Sequence, residues 1–509
     1  MPMSLLAGDG SECRARLLDG GLFIAPGRKA REFLTVYLQS ARAEARALCV
    51  ARIGWHGNVF VLPGSTIGQD GEERVLFQTS CDSDHLINVK GTLDDWRSNV
   101  GRLCSGNSRL ILAVSCAFVG PLLSMIAGES SGIHFHGATS TGKSTALQVG
   151  GSVLGGGGGN GFVQSWRATA NGLEAVAELH NDLCLYLDEL AQIDAREAAE
   201  VVYLLGNGSG KARMSRSLGA RKKITWRLMF VSAGEVTLAD HAQTAGKRIK
   251  GGAEVRLLNV EADAGAGMGI FENIHGADSA DAFSRQLRDA AQQYYGAPLR
   301  TWLEYLIEHQ SEVASRVRDY QRDFLERNVP AKASGEVSRA AQRFALIGAA
   351  GELATRIGLT GWVEGESTRA AAGCCKNWLE RRGTVGSGEE EAAIAQVRHF
   401  LEANGASRFQ TVRPSQRAEL ETDATDENQI VRDRVGFKRK DTKGATEYLI
   451  LSETFKREVC AGHDYQMVAR VLDERGYLDC QRPGLTKKTR LPELGNTRVF
   501  SVRASILDC

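Results

Sequence analysis

Between the strand-like run Ile133–His136 (IHFH) and a helix-like stretch beginning TALQVGG, the chain carries GATSTGKST, Gly137 to Thr145. Few local patterns restrict a fold so strongly. GxxxxGK[ST] works where a strand delivers the chain into a glycine-rich turn and a helix leaves it, because the turn's N–H groups and the helix N-terminus must converge on one anion. The pattern therefore predicts an α/β sheet with a phosphate site at a strand end. Gly137 and Gly142 let the backbone curl and approach closely. The expected cradle is Gly137, Ala138, Thr139, Ser140, Thr141, Gly142, Lys143, Ser144 and Thr145. Lys143 is expected to bridge the β- and γ-phosphates of ATP, and Ser144 to ligate Mg²⁺.

A second apolar run, Leu183–Leu187, ends in Asp188-Glu189. Carboxylates at the exit of a buried strand suit a phosphoryl-transfer site: Asp188 to hold Mg²⁺ with Ser144, and Glu189 to polarise the attacking water. A third run, LMFV, ends in Ser232, followed by AGE. Ser232 would sit between the other two strand ends and sense the terminal phosphate, or be an ordinary strand-ending serine. Short apolar runs alternating with helical segments from 132 to about 260 predict a parallel sheet.

Between Asp188 and Ser232, GNGSGKARMSRSLGARKKITWR carries Lys211, Arg213, Arg216, Arg221, Lys222 and Lys223 with no acidic residue. Gly219 at a tip suggests a projecting hairpin. Contact with a nucleic-acid backbone needs charge rather than base-reading geometry; a solvated basic loop, or a contact to a neighbour's nucleotide, is the alternative. Arg256, in AEVRLLNV, is a candidate arginine finger completing another subunit's site, or a structural ion-pair residue. Arg339 and Arg343 are candidate lid arginines. His134 and His136 alternate before the loop with no ligand set around them, which favours packed histidines over a metal site.

Composition narrows the class. The 509 residues hold 62 Lys+Arg against 61 Asp+Glu, a net charge of +1, so a nucleic-acid partner must be met by local patches. With 43% hydrophobic and 24% charged residues the chain is globular. Scattered cysteines and a start without a basic n-region point to a cytoplasmic protein with reduced thiols. Leu110–Ala127 has no charge, but Gly120-Pro121 divide it, which predicts a pair of buried helices rather than a membrane span. Residues up to about 95 show strand-like runs (GGLFIAPG, ARIGWHGNVFVLPG, ERVLFQTS), residues 280–382 have helical periodicity, and GTVGSGEEE is a candidate hinge. Beyond it, a helix over Tyr465–Arg475 and a basic-tipped hairpin with Lys487, Lys488 and Arg490 have the layout of a winged helix.

GWHGNVFVLPG, IHFHGATSTGKSTALQVGGSVLG, WRATANGLEAVA, LYLDEL, YLLGNGSGKAR and WRLMFVSAGE together resemble the domain of unknown function 927, from about residue 22 to 275. That family is similar to self-loading replicative helicases of phages, plasmids and integrative elements, hexameric rings related to minichromosome-maintenance and superfamily-three helicases. The resemblance implies an AAA+-like, ring-forming P-loop ATPase whose basic hairpin lines a DNA-conducting pore. The expected organisation is a β-rich N-terminal module (1–95), an ATPase core (96–275), a helical lid (276–385) and a winged-helix-like domain (386–509). The expected function is ATP-dependent translocation on single- and double-stranded DNA and its unwinding. No primase motif is present, so a separate primase is an expected partner. The rivals are a DNA-binding ATPase that loads, initiates or regulates without unwinding, and, from another class, a small-molecule kinase.

Overall fold

The computed structural model describes residues 3–6, 8–41, 47–68, 74–78, 85–211, 223–247, 249, 251–331, 333–382, 388–413, 424–425, 431–440 and 444–508. The chain divides into two compact units, Met1–Ala331 with Ser338–Arg381, and Lys332–Val337 with Arg382–Cys509.

The first unit begins with helices α1 (Ser11–Asp19) and α2 (Arg28–Ser40). A parallel pair follows, β1 (Ala47–Val50) with β5 (Arg74–Phe77), and an antiparallel meander of β2 (Gly54–His56), β3 (Val59–Leu62) and β4 (Ser65–Ile67). The N-terminal region is thus mixed rather than β-rich. Residues 20–27, GGLFIAPG, form no strand. Its flanking residues follow a helical recurrence instead, with Phe33, Val36 and Tyr37 on one exposed stripe of α2.

The next helix, α3 (Ser108–Met125), is long and apolar enough to cross a membrane, yet 83% of it is buried within the protein. It is one helix, not a pair. Side-chain donors from elsewhere in the chain reach its carbonyls: Trp302 Nε1 reaches Phe118 O at 3.1 Å, Trp55 Nε1 reaches Pro121 O at 2.9 Å and Tyr186 Oη reaches Ala113 O at 2.7 Å. Gly120 serves packing rather than termination, because a Cβ there would lie 2.4–2.5 Å from backbone atoms of Leu183.

The central sheet has five strands, β6 (Ser131–His136), β7 (Gln164–Ser165), β8 (Cys184–Asp188), β9 (Met229–Gly234) and β10 (Leu257–Glu261), all parallel, in the order β10-β6-β9-β8-β7. Successive residues face two different cores: Tyr186, Val231 and Ile133 join one, Leu185, Leu187 and Phe230 the other. Double-sided burial explains why these strands read as continuous apolar runs. Helices α4 (Lys143–Gly151), α5 (Ala170–Glu178), α6 (Ala198–Asn207) and α7 (Leu238–Thr244) connect the strands.

Five helices follow: α8 (Ala280–Gln293), α9 (Ala297–Glu308), α10 (Gln310–Asn328), α11 (Gly335–Arg356) and α12 (Glu366–Arg382). Their Phe283, Trp302, Val313, Phe344 and Cys374 share one core with α3 and one face of the sheet. The meander is moored at the sheet's other end, where Asp182 accepts from Trp55 N at 3.1 Å and from Arg227 Nε at 2.9 Å.

The second unit contains α13 (Gly388–Asn404) and α14 (Tyr465–Glu474) with a seven-stranded mixed sheet: β11 (Phe409–Arg413), β12 (Ala424–Thr425), β13 (Gly436–Lys440), β14 (Thr446–Leu451), β15 (Leu478–Asp479), β16 (Lys487–Leu491) and β17 (Gly495–Arg503). Helix α14 is followed in the chain by the β16–β17 hairpin. The larger sheet around β14 and β17 was not expected. Val397, Leu401, Phe455, Val468, Leu472 and Phe500 form this unit's core.

Gly120→Ala tests the contact on which α3 and β8 depend. Neither the helix nor the Leu183 backbone can yield, so the substitution should cost about 2 kcal/mol or more. Urea unfolding of the full chain would measure it, and a loss below about 0.5 kcal/mol, the range of neutral surface changes, would remove the contact from that role.

Candidate active site

The sheet order places the C-terminal ends of β6, β9 and β8 side by side. The loop Gly137–Gly142 leaves β6, and Asp188 and Glu189 lie at the end of β8, with β9 between. Three of its residues take positive φ: Gly137 (149°), Ser140 (63°) and Gly142 (90°). At Gly142 a Cβ would fall 2.6 Å from Ile270 Cγ2, so the glycine also makes room for the segment that braces the loop. That brace follows β10: Ala262 N donates to His136 O at 2.8 Å, and Ile270 N to Thr141 O at 2.8 Å.

The Lys143 ammonium donates to Gly137 O (2.8 Å), Ala138 O (2.6 Å) and Thr141 Oγ1 (3.2 Å), so all three of its protons are held by the loop. Burial lowers its pKa, opposed by the carboxylates of Glu235, Glu189 and Asp188. Ser144, one residue into α4, is exposed. The Thr145 hydroxyl instead turns inward, 2.6 Å from Ser284 Oγ, so its side chain ties α4 to α8 and is not free for a ligand. Glu189 has φ 62°, a conformation a non-glycine residue rarely adopts, at the strand exit. Ser144 and Asp188 offer a hydroxyl and a half-exposed carboxylate, hard oxygen donors that fit Mg²⁺ completed by phosphate oxygens and water.

Ser232 lies elsewhere than expected. It is fully buried, accepts from Trp166 Nε1 at 2.9 Å, and its Oγ is 2.9 Å from His134 Nδ1. His134 Nε2 is 2.9 Å from Val236 O. A carbonyl only accepts, so His134 carries its proton on Nε2 and its Nδ1 accepts a hydrogen bond from the Ser232 hydroxyl. Burial pushes its pKa down to about 4, and the neutral ring is a packed structural histidine. The residue that reaches the loop is Glu235, just beyond this strand, whose carboxylate accepts a hydrogen bond from Thr139 Oγ1. Arg381 of α12 was also missed; it pairs with Glu261 at the end of β10, near His136.

Arg256 stands at the opposite end of the sheet. It directly precedes β10, its carbonyl accepts from Gly132 N at 2.7 Å, and its guanidinium stacks 4.3 Å over the Tyr203 ring. The six residues of β6 put it about 20 Å from its own chain's loop at ~3.3 Å per residue. Arg339 and Arg343 also belong to this end. Burial pushes the Arg343 pKa down to about 10 amid the charges of Glu129, Arg256 and Arg339, and its Nη1 has no partner among the described residues. A cavity of about 330 Å³ opens beside Arg256, lined by Glu129, Gly206, Gly208 and Trp226.

Arg213, Arg216, Arg221 and Lys222 lie outside the described residues. The flanks of that segment run antiparallel, with Gly210 N donating to Ile224 O at 3.0 Å and Trp226 N to Gly208 O at 2.9 Å. Lys211 is paired with Glu200 at 2.8 Å, whereas Lys223 is exposed. In the second unit Lys487 is turned between Glu447, at 3.2 Å, and Asp479, so it does not serve as a free surface charge; Lys488 and Arg490 remain exposed on the hairpin.

Residues 1–225 match the family profile of the domain of unknown function DUF927. No curated protein sequence matches the chain. The solved structure of SCCmec type IV Cch, an active helicase, is similar with a TM-score of 0.72 at 18% identity, over 99% of this chain and 89% of that one. The chain therefore shares the fold of that helicase. A second structure, NtrX from Brucella abortus in complex with ADP, matches at 13% identity over 52% of this chain and 49% of that chain, but its TM-score of 0.18 marks no common architecture.

The buried imidazole predicts a pH dependence. An unfolded histidine binds its proton near pH 6.5 and the native His134 only near 4, so the unfolded state binds more protons between these values and stability falls as pH falls through that window. His134→Asn keeps one donor and one acceptor without titrating. Unfolding free energies at pH 4.5 and 7 should show the wild type losing more than the variant, on the order of 2–3 kcal/mol more. Equal losses would mean that His134 is not held neutral.

Proposed function

We propose that the chain is an ATP-driven DNA translocase and helicase of a mobile genetic element, working as a homo-oligomeric, hexameric ring in the cytoplasm. The observation that carries this reading is the convergence at one sheet end of Lys143 and the Asp188-Glu189 pair, two strands apart. Its fold is that of a protein described as an active helicase.

The roles follow from the geometry. The loop amides and the N-terminus of α4 bind the phosphates, and Lys143 exchanges its loop carbonyls for phosphate oxygens. Ser144 and Asp188 would hold Mg²⁺, which would supply charge neutralisation at the transferring phosphoryl group. Glu189 orients the attacking water and accepts its proton. The buried Ser232 acts through His134 as a positioning residue that locks β9 to β6.

Arg256 acts in trans. Its distance from its own loop supports this reading, and the cavity beside it offers room for a neighbour's phosphate end. The basic segment 211–223 carries the DNA backbone contact, with Lys211 contributing less because Glu200 already pairs with it. On the winged-helix-like unit, Lys488 and Arg490 remain the candidates for duplex contact, and a separate primase is the expected partner.

Lys143→Ala should abolish ATP turnover, while Glu189→Gln should bind ATP and fail to hydrolyse it; an unchanged steady-state rate in Glu189→Gln would remove it from the base role. Mixing Arg256→Ala with Lys143→Ala protein should restore part of the activity, since a mixed interface unites an intact loop with an intact arginine. No rescue at any ratio, with assembly confirmed by light scattering, would rule out action in trans. Neutralising Arg221, Lys222 and Lys223 should leave basal ATPase intact, suppress strand displacement and flatten the salt dependence of single-strand binding by about 0.7 per lost contact. Strand displacement at the wild-type rate would sink the hairpin assignment. ATPase and DNA binding without any displacement in the wild type would favour a loader or regulator.

A further inference from the structure

The end of the middle strand carries a carboxylate to which no role has been given. Glu235 is the first residue beyond β9, and its carboxylate accepts the hydroxyl proton of Thr139 within the nucleotide loop. Its placement is fixed from both sides. On one side Gly234 fits between β6 and the turn after Glu189, where a Cβ would be 3.2 Å from both His134 Cε1 and Leu190 Cβ. On the other, Val236 O is held by His134 Nε2 at 2.9 Å. Glu235 is thus presented to the loop by two backbone neighbours locked to the same histidine.

The place it occupies matters. The Lys143 ammonium rests on the carbonyls of Gly137 and Ala138, immediately before Thr139, so the ammonium and the Thr139 hydroxyl form one donor group at the start of the loop. A lysine that bridges the outer two phosphates brings the terminal one to the donors beside its ammonium. Glu235 holds one of those donors already.

Resting on the nucleotide-binding reading above, we propose that Glu235 reads the terminal phosphate: its carboxylate competes for the Thr139 and Lys143 donors, so that a nucleoside triphosphate must displace it and a diphosphate need not. Among the carboxylates acting on Lys143, Glu235 acts most strongly, ahead of Glu189 and Asp188. Two like charges brought to one hydroxyl repel at short range, by an amount that added salt reduces because Thr139 and Glu235 are exposed. The consequence is a specificity residue: the negative charge of Glu235 sets the ratio of triphosphate to diphosphate affinity.

The test uses the full chain, Mg²⁺ with ADP, and Mg²⁺ with a non-hydrolysable ATP analogue, each titrated calorimetrically. Glu235→Gln keeps the shape and removes the charge. It should tighten the triphosphate analogue relative to ADP by about tenfold. Glu235→Asp keeps the charge and should hold the wild-type ratio within about twofold. A Glu235→Gln ratio within twofold of wild type, or equal tightening of both nucleotides, would overturn the inference and leave the nucleotide reading standing. If Glu235→Gln does not fold, Glu235→Ala is read by the same ratio. Failure of the wild type to bind either nucleotide better than Lys143→Ala would instead bring down the nucleotide-binding reading itself, and this inference with it.

Discussion

The Ser232 hydroxyl accepts a hydrogen bond from the Trp166 indole N–H and donates one to His134 Nδ1, and His134 in turn donates from Nε2 to Val236 O. Each of these groups would be costly to bury alone, by several kcal/mol per unpaired polar atom. Linked, they tie together the chain after β7, strands β9 and β6, and the turn that presents Glu235. The loop, the acidic pair and the glutamate can therefore keep a common geometry although they leave three separate strands. The geometry at the sheet end depends on a polar relay that starts in the core at Trp166 and Ser232 and ends at the surface, at Val236.

A second constraint acts on the opposite face of the sheet, where α3 lies so close to Leu183 that only glycine fits at 120. Helices α8 to α12 add Phe283, Trp302 and Phe344 to that same core. Arg381 consequently stands near the nucleotide end while Arg343 stands near Arg256. Rotating the helical segment as a rigid lid would have to break this shared core, whereas shifting single side chains such as Arg381 would not.

Much of the site was legible because glycine spacing and strand-end carboxylates are backbone requirements written locally. Gly137, Gly142, Lys143, Asp188 and Glu189 could be placed with no tertiary information. Ser232 could not be placed. The apolar run stops at Val231, but the β8 ladder reaches Ser232 and the β6 ladder carries the strand on to Gly234, so Ser232 lies inside it and Glu235 just beyond its end. The only hint was a carboxylate following two small residues. Lys487 was misjudged for a similar reason: its partners Glu447 and Asp479 come from distant strands brought together by pairing along β17. The unbroken α3 was not legible because what packs against Gly120-Pro121, the Leu183 backbone and the indoles of Trp55 and Trp302, lies far away in sequence.

The placement of Arg256 and the loop at opposite ends of one parallel sheet has an arithmetic consequence. In the proposed reading each chain is a tile with a socket on one edge and a plug on the other, and a reaction centre exists only where two tiles meet. An open arc of n tiles then has n − 1 centres and one idle socket, and closing the arc adds a centre without adding a subunit. Catalytic capacity would register topological closure directly, so that a gap opened to admit a strand of DNA silences one site at the place where it opens.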